Sequence, residues 1–287
     1  MNFENIKTDL EKNGYAIVQN VLTPEEIDTA KSMFYEWQKT VPNNIHSQVN
    51  PHGIYKFHEV GHQRHAWYIR TNPKVQQVFK SIWNTDDLIT SFDGSCYIPK
   101  EWKKKDNNWI HTDQAPDSQG LKCIQGFVSL TENQERTFVV YENSHSIHHS
   151  YFQEKGIQSK KNWHVIDPQT IDNMKESRRV LHVPAGALVL WDSRCFHSNR
   201  YGSPGSEERI VQYVCFLPKN HQNNTTAMQK KRMKYFQEKR TTSHWPAPIS
   251  VNSKQPRTYG DDSKMIDYSI LKQPLLEDMK DKIMKII

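Results

Sequence analysis

The sequence predicts a mainly β protein, one jelly-roll domain wrapped by helices at both ends. Three observations carry this. From residue 88 the chain reads as short extended runs at 88–97, 122–130, 137–141, 179–183, 187–191 and 209–217, separated by Gly, Pro, Asn and Asp. Ahead of them stand segments with helical spacing and clear start signals. Behind them, after Pro218, the chain turns helical and basic. The chain 1–287 is read as a single domain: a helical and loop region at 1–87, the jelly-roll core at 88–218 with an insertion at 142–177, and a helical extension at 219–287.

Taken in order, Phe3, Ile6 and Leu10 fit one helical face, which Gly14 ends. Tyr15-Ala-Ile-Val-Gln reads as a strand. Thr23-Pro-Glu-Glu26 starts a helix: Thr caps, Pro takes the first helical position, and Glu returns to the cap. That helix runs through Ile27, Ala30, Phe34 and Trp37. Residues 41–66 are polar and read as a long loop, with His46, His52, His58, His62 and His65 as solvated loop histidines or part of a lid. Asn72-Pro73 opens another helix, with Val75, Val78, Phe79, Ile82 and Trp83 inward. The insertion 142–177 is polar and partly helical, and with 41–66 it is expected to form the mouth of a pocket.

Composition sets the class. Net charge is +6, from 38 basic and 32 acidic residues, and much of the excess sits in 229–240. A nucleic-acid or protein substrate is thus permitted but not demanded, and a small-molecule substrate is the main expectation. The four cysteines lie in apolar runs without CxxC spacing, so they read as reduced core thiols. No run approaches the roughly 18 apolar residues of a membrane span, and the first residues lack the features of a signal peptide. A soluble, cytoplasmic protein is expected.

The chemistry gathers at Trp109-Ile110-His111-Thr112-Asp113-Gln114. In a strand, residues two apart face the same side, so His111 and Asp113 can address one atom. The best third ligand is His197, at the end of Leu188-Val-Leu-Trp-Asp-Ser-Arg-Cys-Phe-His197. Two imidazoles and one carboxylate on one face of an octahedral metal leave three positions open, a donor set that favours Fe(II) and O2 chemistry. Arg209 opens the apolar run Arg-Ile-Val-Gln-Tyr-Val-Cys-Phe, where a guanidinium is costly to bury without a partner. A dicarboxylate supplies one, gripped bidentately.

The ordered series is His111-x-Asp113, Gly126-Phe-Val-Ser-Leu130, Asn143-Ser-His145, Pro184-x-Gly186-x-Leu188, Trp191-Asp192, His197 and Arg209. It resembles the phytanoyl-CoA dioxygenase family of Fe(II)/2-oxoglutarate oxygenases over residues 10–250. The opening at Gly14 and Leu22-Thr-Pro-Glu-Glu-Ile27 is also like that family's start. The resemblance implies a single oxygenase domain with a double-stranded β-helix. It implies His111, Asp113 and His197 as iron ligands, and Arg209 on the far carboxylate of 2-oxoglutarate. Tyr97, Gln125 and Thr137 fall where the family often places further co-substrate contacts. It further implies O2 as oxidant and ascorbate as reductant. Because halogenases of this superfamily replace the carboxylate ligand with a small residue, Asp113 implies hydroxylation. Where family members often carry a Gly-rich turn, this chain has Gln134-Glu-Arg-Thr-Phe138, and Asn143 is expected to take a left-handed conformation. His145 is expected to support the site rather than to bind metal. The rival readings are a non-catalytic jelly-roll binding module and a hydrolytic metalloenzyme that holds Zn(II) on the same ligands.

Overall fold

The structure is a computed structural model that describes residues 3–41, 52–103, 106 and 109–287. In chain order its strands are β1 (Tyr15–Val18), β2 (Ile54–Tyr55), β3 (Leu88–Thr90), β4 (Ser95–Ile98), β5 (His111–Thr112), β6 (Ile124–Ser129), β7 (Phe138–Tyr141), β8 (His164–Val165), β9 (Arg178–Val180), β10 (Leu188–Asp192), β11 (His197–Asn199) and β12 (Arg209–Pro218). Two compact units share the chain: Met1–Gln19 with Ile98–Arg209, and Asn20–Tyr97 with Ile210–Ile287.

In the first unit, β1, β10 and β6 are antiparallel neighbours, with Tyr15 opposite Trp191 and Trp191 opposite Gln125. A second sheet runs β8–β5–β11–β7–β9. Alternate residues of its strands face opposite ways. One face carries Ile110, Val139, Tyr141 and Phe196. It packs with Tyr151 and Phe152 of the helix Ser144–Glu154, and with Ile166 and Ile171, as one apolar cluster. Each buried Phe there contributes about 1.5–3 kcal/mol. The helical part of the insertion is therefore anchored to this face. The opposite face carries His111, His197 and Asn199, with Phe138 and Val140 as their register partners.

The connection from β10 to β11 delivers His197, and it is clamped. Asp192 accepts from the backbone and guanidinium of Arg194, at 2.8 Å from its N–H, 3.0 Å from Nε and 2.6 Å from a terminal nitrogen. Gly14, at φ +84°, lets the end of the first helix close on this loop: a Cβ there would meet Cys195 Sγ at 2.5 Å and His145 Nδ1 at 2.6 Å. Asn143 takes the expected left-handed conformation at φ 62° and starts the helix Ser144–Glu154.

In the second unit, Thr23 and Glu26 form the expected capping box on Pro24–Gln38, and Asn72 caps Pro73–Trp83. The expected strand 88–97 is two strands, β3 paired with β12 and β4 with β2. The chain between them breaks at Gly94, where an added Cβ would lie 2.0 Å from the Tyr55 carbonyl oxygen. Of the expected loop 41–66, residues 42–51, His46 included, lie outside the described residues. The remainder is folded: β2, a turn at Val60–His62 and the start of the helix Arg64–Arg70. His58, His62 and His65 are buried within it, not solvated. Aromatic partners account for this: Phe92 and Trp67 pack on His62, and Phe34 and Trp37 on His65. All four cysteines are free and buried.

Candidate metal centre

His111 and His197 lie far apart in the chain, but they are direct register partners on β5 and β11. Cross-strand partners project to the same face, and the two rings stand 4.4 Å apart. Asp113, just past β5, is anchored by its N–H to the Ser193 carbonyl at 3.0 Å. Its Oδ2 lies 3.1 Å from His197 Nε2 and 3.7 Å from His111 Nε2. One ligand atom from each of the three lies within 4.8 Å of the others, and all three residues are buried.

The hydrogen bonds behind the rings decide what this cluster can hold. His111 Nδ1 lies 3.0 Å from the Trp109 carbonyl, and His197 Nδ1 lies 2.9 Å from the Cys195 carbonyl. A carbonyl only accepts, so each Nδ1 carries the proton. In a neutral ring, Nε2 then offers a lone pair. Burial, followed by the neighbouring His197, pushes the His111 pKa down and keeps its ring neutral. Two lone pairs and a carboxylate oxygen thus converge, an arrangement that a divalent cation stabilises and that the backbone carbonyls pre-orient. Gln125 completes it by donating from Nε2 to Asp113 Oδ2 at 3.1 Å.

The surroundings are aromatic. Trp109 stacks on His111 at 4.6 Å and 18°, and Trp163 approaches the same ring at 5.6 Å. Phe138 and Trp191 lie against His197 at 5.3 and 5.4 Å. Phe127 joins both of them and carries the Arg209 guanidinium at 5.1 Å above its ring.

Arg209 is 1% exposed. It donates to Asn199 Oδ1 at 3.1 Å and to the Arg136 carbonyl at 3.3 Å, while its Nε has no partner. Among the described residues no carboxylate forms an ion pair with it. The alternative cations are already used: Arg194 pairs with Asp192 at 2.6 Å, and Arg200 with Asp106 and Glu135 at 3.1 Å each. A buried guanidinium short of acceptors suits an anionic ligand.

Of the residues singled out in the sequence, His111, Asp113, His197 and Gln125 come together in one cluster. Arg209 joins them through Phe127. Thr137 donates its hydroxyl to the Leu181 carbonyl at 2.7 Å. Tyr97 belongs to the other unit, stacked on Tyr55 at 6.0 Å and tilted against Phe34 at 5.4 Å. His145 reaches the Glu11 carbonyl at 3.0 Å. Sequence reading missed Asn199 and Trp163, and quoted Trp109 and Trp191 within motifs without giving either a role of its own. Asn199 was within reach, being two residues past His197 on one strand and so on the same face.

Comparison with known proteins agrees with this geometry. The family model for phytanoyl-CoA dioxygenase matches residues 10–200. A protein from Aspergillus versicolor, Ava biosynthesis cluster protein O, is 28% identical over 238 residues, covering 74% of this chain and 77% of that protein. Among solved structures, the epimerase SnoN in complex with Fe3+, alpha-ketoglutarate and nogalamycin RO is similar with a TM-score of 0.54. It is 16% identical, over 75% of this chain and 83% of that one. HygX from Streptomyces hygroscopicus, with nickel and 2-oxoglutarate bound, gives 0.54 at 11% identity, over 75% and 87%. EctD from S. alaskensis, with 2-oxoglutarate and 5-hydroxyectoine, gives 0.52 at 12% identity, over 74% of each chain. The fold shared with them is the mainly β jelly-roll with flanking helices that the sequence predicts.

Proposed function

The chain belongs to the phytanoyl-CoA dioxygenase family, and from that premise we propose an Fe(II)- and 2-oxoglutarate-dependent dioxygenase that hydroxylates a small-molecule substrate. His111, Asp113 and His197 would hold the iron, and Arg209 the far carboxylate of 2-oxoglutarate. When bound, iron with 2-oxoglutarate and O2 supplies the oxidising chemistry, with succinate and CO2 released.

The chain's own residues perform the rest. The Trp109 and Cys195 carbonyls hold both imidazoles in the tautomer that presents Nε2. Gln125 fixes the orientation of Asp113. The aromatic rings around His197 exclude water and raise the strength of every charge interaction inside. Thr137 and Tyr97 stay secondary co-substrate candidates on family resemblance alone. The single observation that carries the reading is Arg209, a buried cation short of acceptors on the same aromatic floor as His197. A hydrolytic zinc site or a binding module has no use for it.

No helix among the described residues is long and apolar enough to cross a membrane. Free, buried cysteines suit a reducing compartment, and we place the protein in the cytoplasm on that ground. The basic residues of the helix Thr226–Gln237 have no ligand in this reading: Lys230, Lys231 and Lys234 are exposed, and Arg232 is buried on the Asn224 side chain and the Pro246 carbonyl. The test is anaerobic iron loading followed by succinate formation from 2-oxoglutarate in air, with ascorbate as reductant. Stoichiometric Fe(II) binding and 2-oxoglutarate-dependent succinate are expected. Zinc retention with no binding of 2-oxoglutarate would overturn the reading.

A further inference from the structure

Trp191 is 3% exposed, and its indole N–H has no hydrogen-bond partner. A buried donor left empty costs about 1–3 kcal/mol. Other indoles of the chain share that state, Trp67 and Trp245 among them, so the orphaned N–H alone singles out nothing. Its position does. Trp191 is the register partner of Gln125, whose side chain holds Asp113. The two therefore project to one face, toward the metal cluster. The indole lies 5.4 Å from the His197 ring and 6.0 Å from the Phe127 ring. Phe127 also carries Arg209, whose Nε is the other buried donor without a partner on this floor. The two residues with an empty N–H thus both pack on Phe127.

We propose that Trp191 is a second co-substrate-binding residue, its indole N–H donating to the same distal carboxylate that Arg209 pairs. The inference rests on the 2-oxoglutarate reading above and adds a residue to it. Trp191 thereby sets the selectivity for a dicarboxylate over a monocarboxylate 2-oxo acid, because pyruvate has no atom at that end. Arg209 supplies the charge and Trp191 the direction, the pairing that makes charge-assisted bonds specific.

Two measurements test this, neither of which needs turnover. In protein loaded with Zn(II) and carrying ¹⁵N-labelled indoles, 2-oxoglutarate should shift one of the eight tryptophan N–H resonances, the one missing from the Trp191→Phe spectrum. Pyruvate should leave it in place. In calorimetric titrations of the same protein, Trp191→Phe should weaken 2-oxoglutarate about tenfold or more, the worth of a hydrogen bond to a charged group. Pyruvate affinity and metal content should not change. A wild-type resonance that stays fixed on saturation with 2-oxoglutarate would overturn the proposal without reference to any variant. Equal weakening of pyruvate would place the donor at the metal end and also overturn it. Wild-type protein that binds no 2-oxoglutarate at all would instead sink the reading on which it rests.

Discussion

Arg136 and Arg209 are both buried guanidiniums in one unit, and their surroundings differ in kind. Arg136 is 0% exposed. It donates from Nε to the Tyr201 carbonyl at 3.1 Å, from one terminal nitrogen to the Pro99 carbonyl, and from the other to the Lys100 and Trp102 carbonyls at 3.2 and 3.1 Å. Its hydrogen-bonding capacity is used by the fold. Arg209 has one side-chain acceptor, one long contact to a carbonyl and an empty Nε. The histidines divide by what their Nε2 atoms face. His62 and His65 lie in aromatic packing with Nε2 on the Arg240 carbonyl and the Ser95 hydroxyl, each at 3.1 Å. His111 and His197 spend Nδ1 on a carbonyl and turn Nε2 toward a carboxylate. Burial and residue type do not separate a ligand from a scaffold residue. What separates them is where the unspent atoms stand: His65 and Arg232 also keep a buried nitrogen without a partner, but the Arg209 guanidinium lies on the aromatic floor of His197, and the Nε2 atoms of His111 and His197 converge on Asp113.

That division can be broken at four points, in descending order of effect. His111→Ala or His197→Ala should reduce iron loading below detection, because two donors cannot hold Fe(II) against water; metal analysis after dialysis checks it. Full iron content in either variant would end the ligand assignment. Arg136→Met should leave several carbonyls unsatisfied and lower the unfolding free energy by about 3 kcal/mol or more. Urea titration measures that loss, while the affinity of the folded fraction for 2-oxoglutarate stays at the wild-type value.

Arg209→Ala should do the reverse. Losing one partner of a buried charge pair costs about 2–5 kcal/mol, so the apparent KM for 2-oxoglutarate should rise at least about tenfold. Arg209→Lys keeps charge without the fork and should fall between. Metal content should not move in either variant. An unchanged KM in Arg209→Ala would erase the contrast with Arg136.

The smallest effect concerns pH. Burial pushes the His62 pKa down to about 3, against about 6.5 in an unfolded chain. As pH falls, the unfolded chain binds this proton first. The stability held by the neutral ring is thus complete above about pH 6.5 and is lost progressively below it, toward pH 3, at about 1.4 kcal/mol per pH unit. His62→Phe should flatten the dependence of unfolding free energy on pH between 5 and 6 by that amount. An unaltered slope would mean that His62 is already solvated.

Much was legible in the sequence where the rule was local. The capping box at Thr23–Glu26 and the left-handed Asn143 depend on a few neighbouring residues, and a strand's period of two places His111 and Asp113 on one side. Arg209 stood out because a charge inside an apolar run is costly wherever that run is buried. Other features were decided only by tertiary structure. The pairing of His197 with His111 is a matter of strand register between distant segments, and no local period reports it. The burial of His58, His62 and His65 follows from aromatic partners far along the chain, so a polar stretch read as a loop became interior. The helical part of the insertion lies on the other face of the sheet because Tyr151 and Phe152 found an apolar face to cover, while Trp163 of the same insertion reaches the His111 ring. Trp191 stood in the sequence only as part of the ordered motif series, and only its place opposite Gln125 gave its empty N–H a meaning. Local periodicity places side chains on a face; register and packing choose what that face meets.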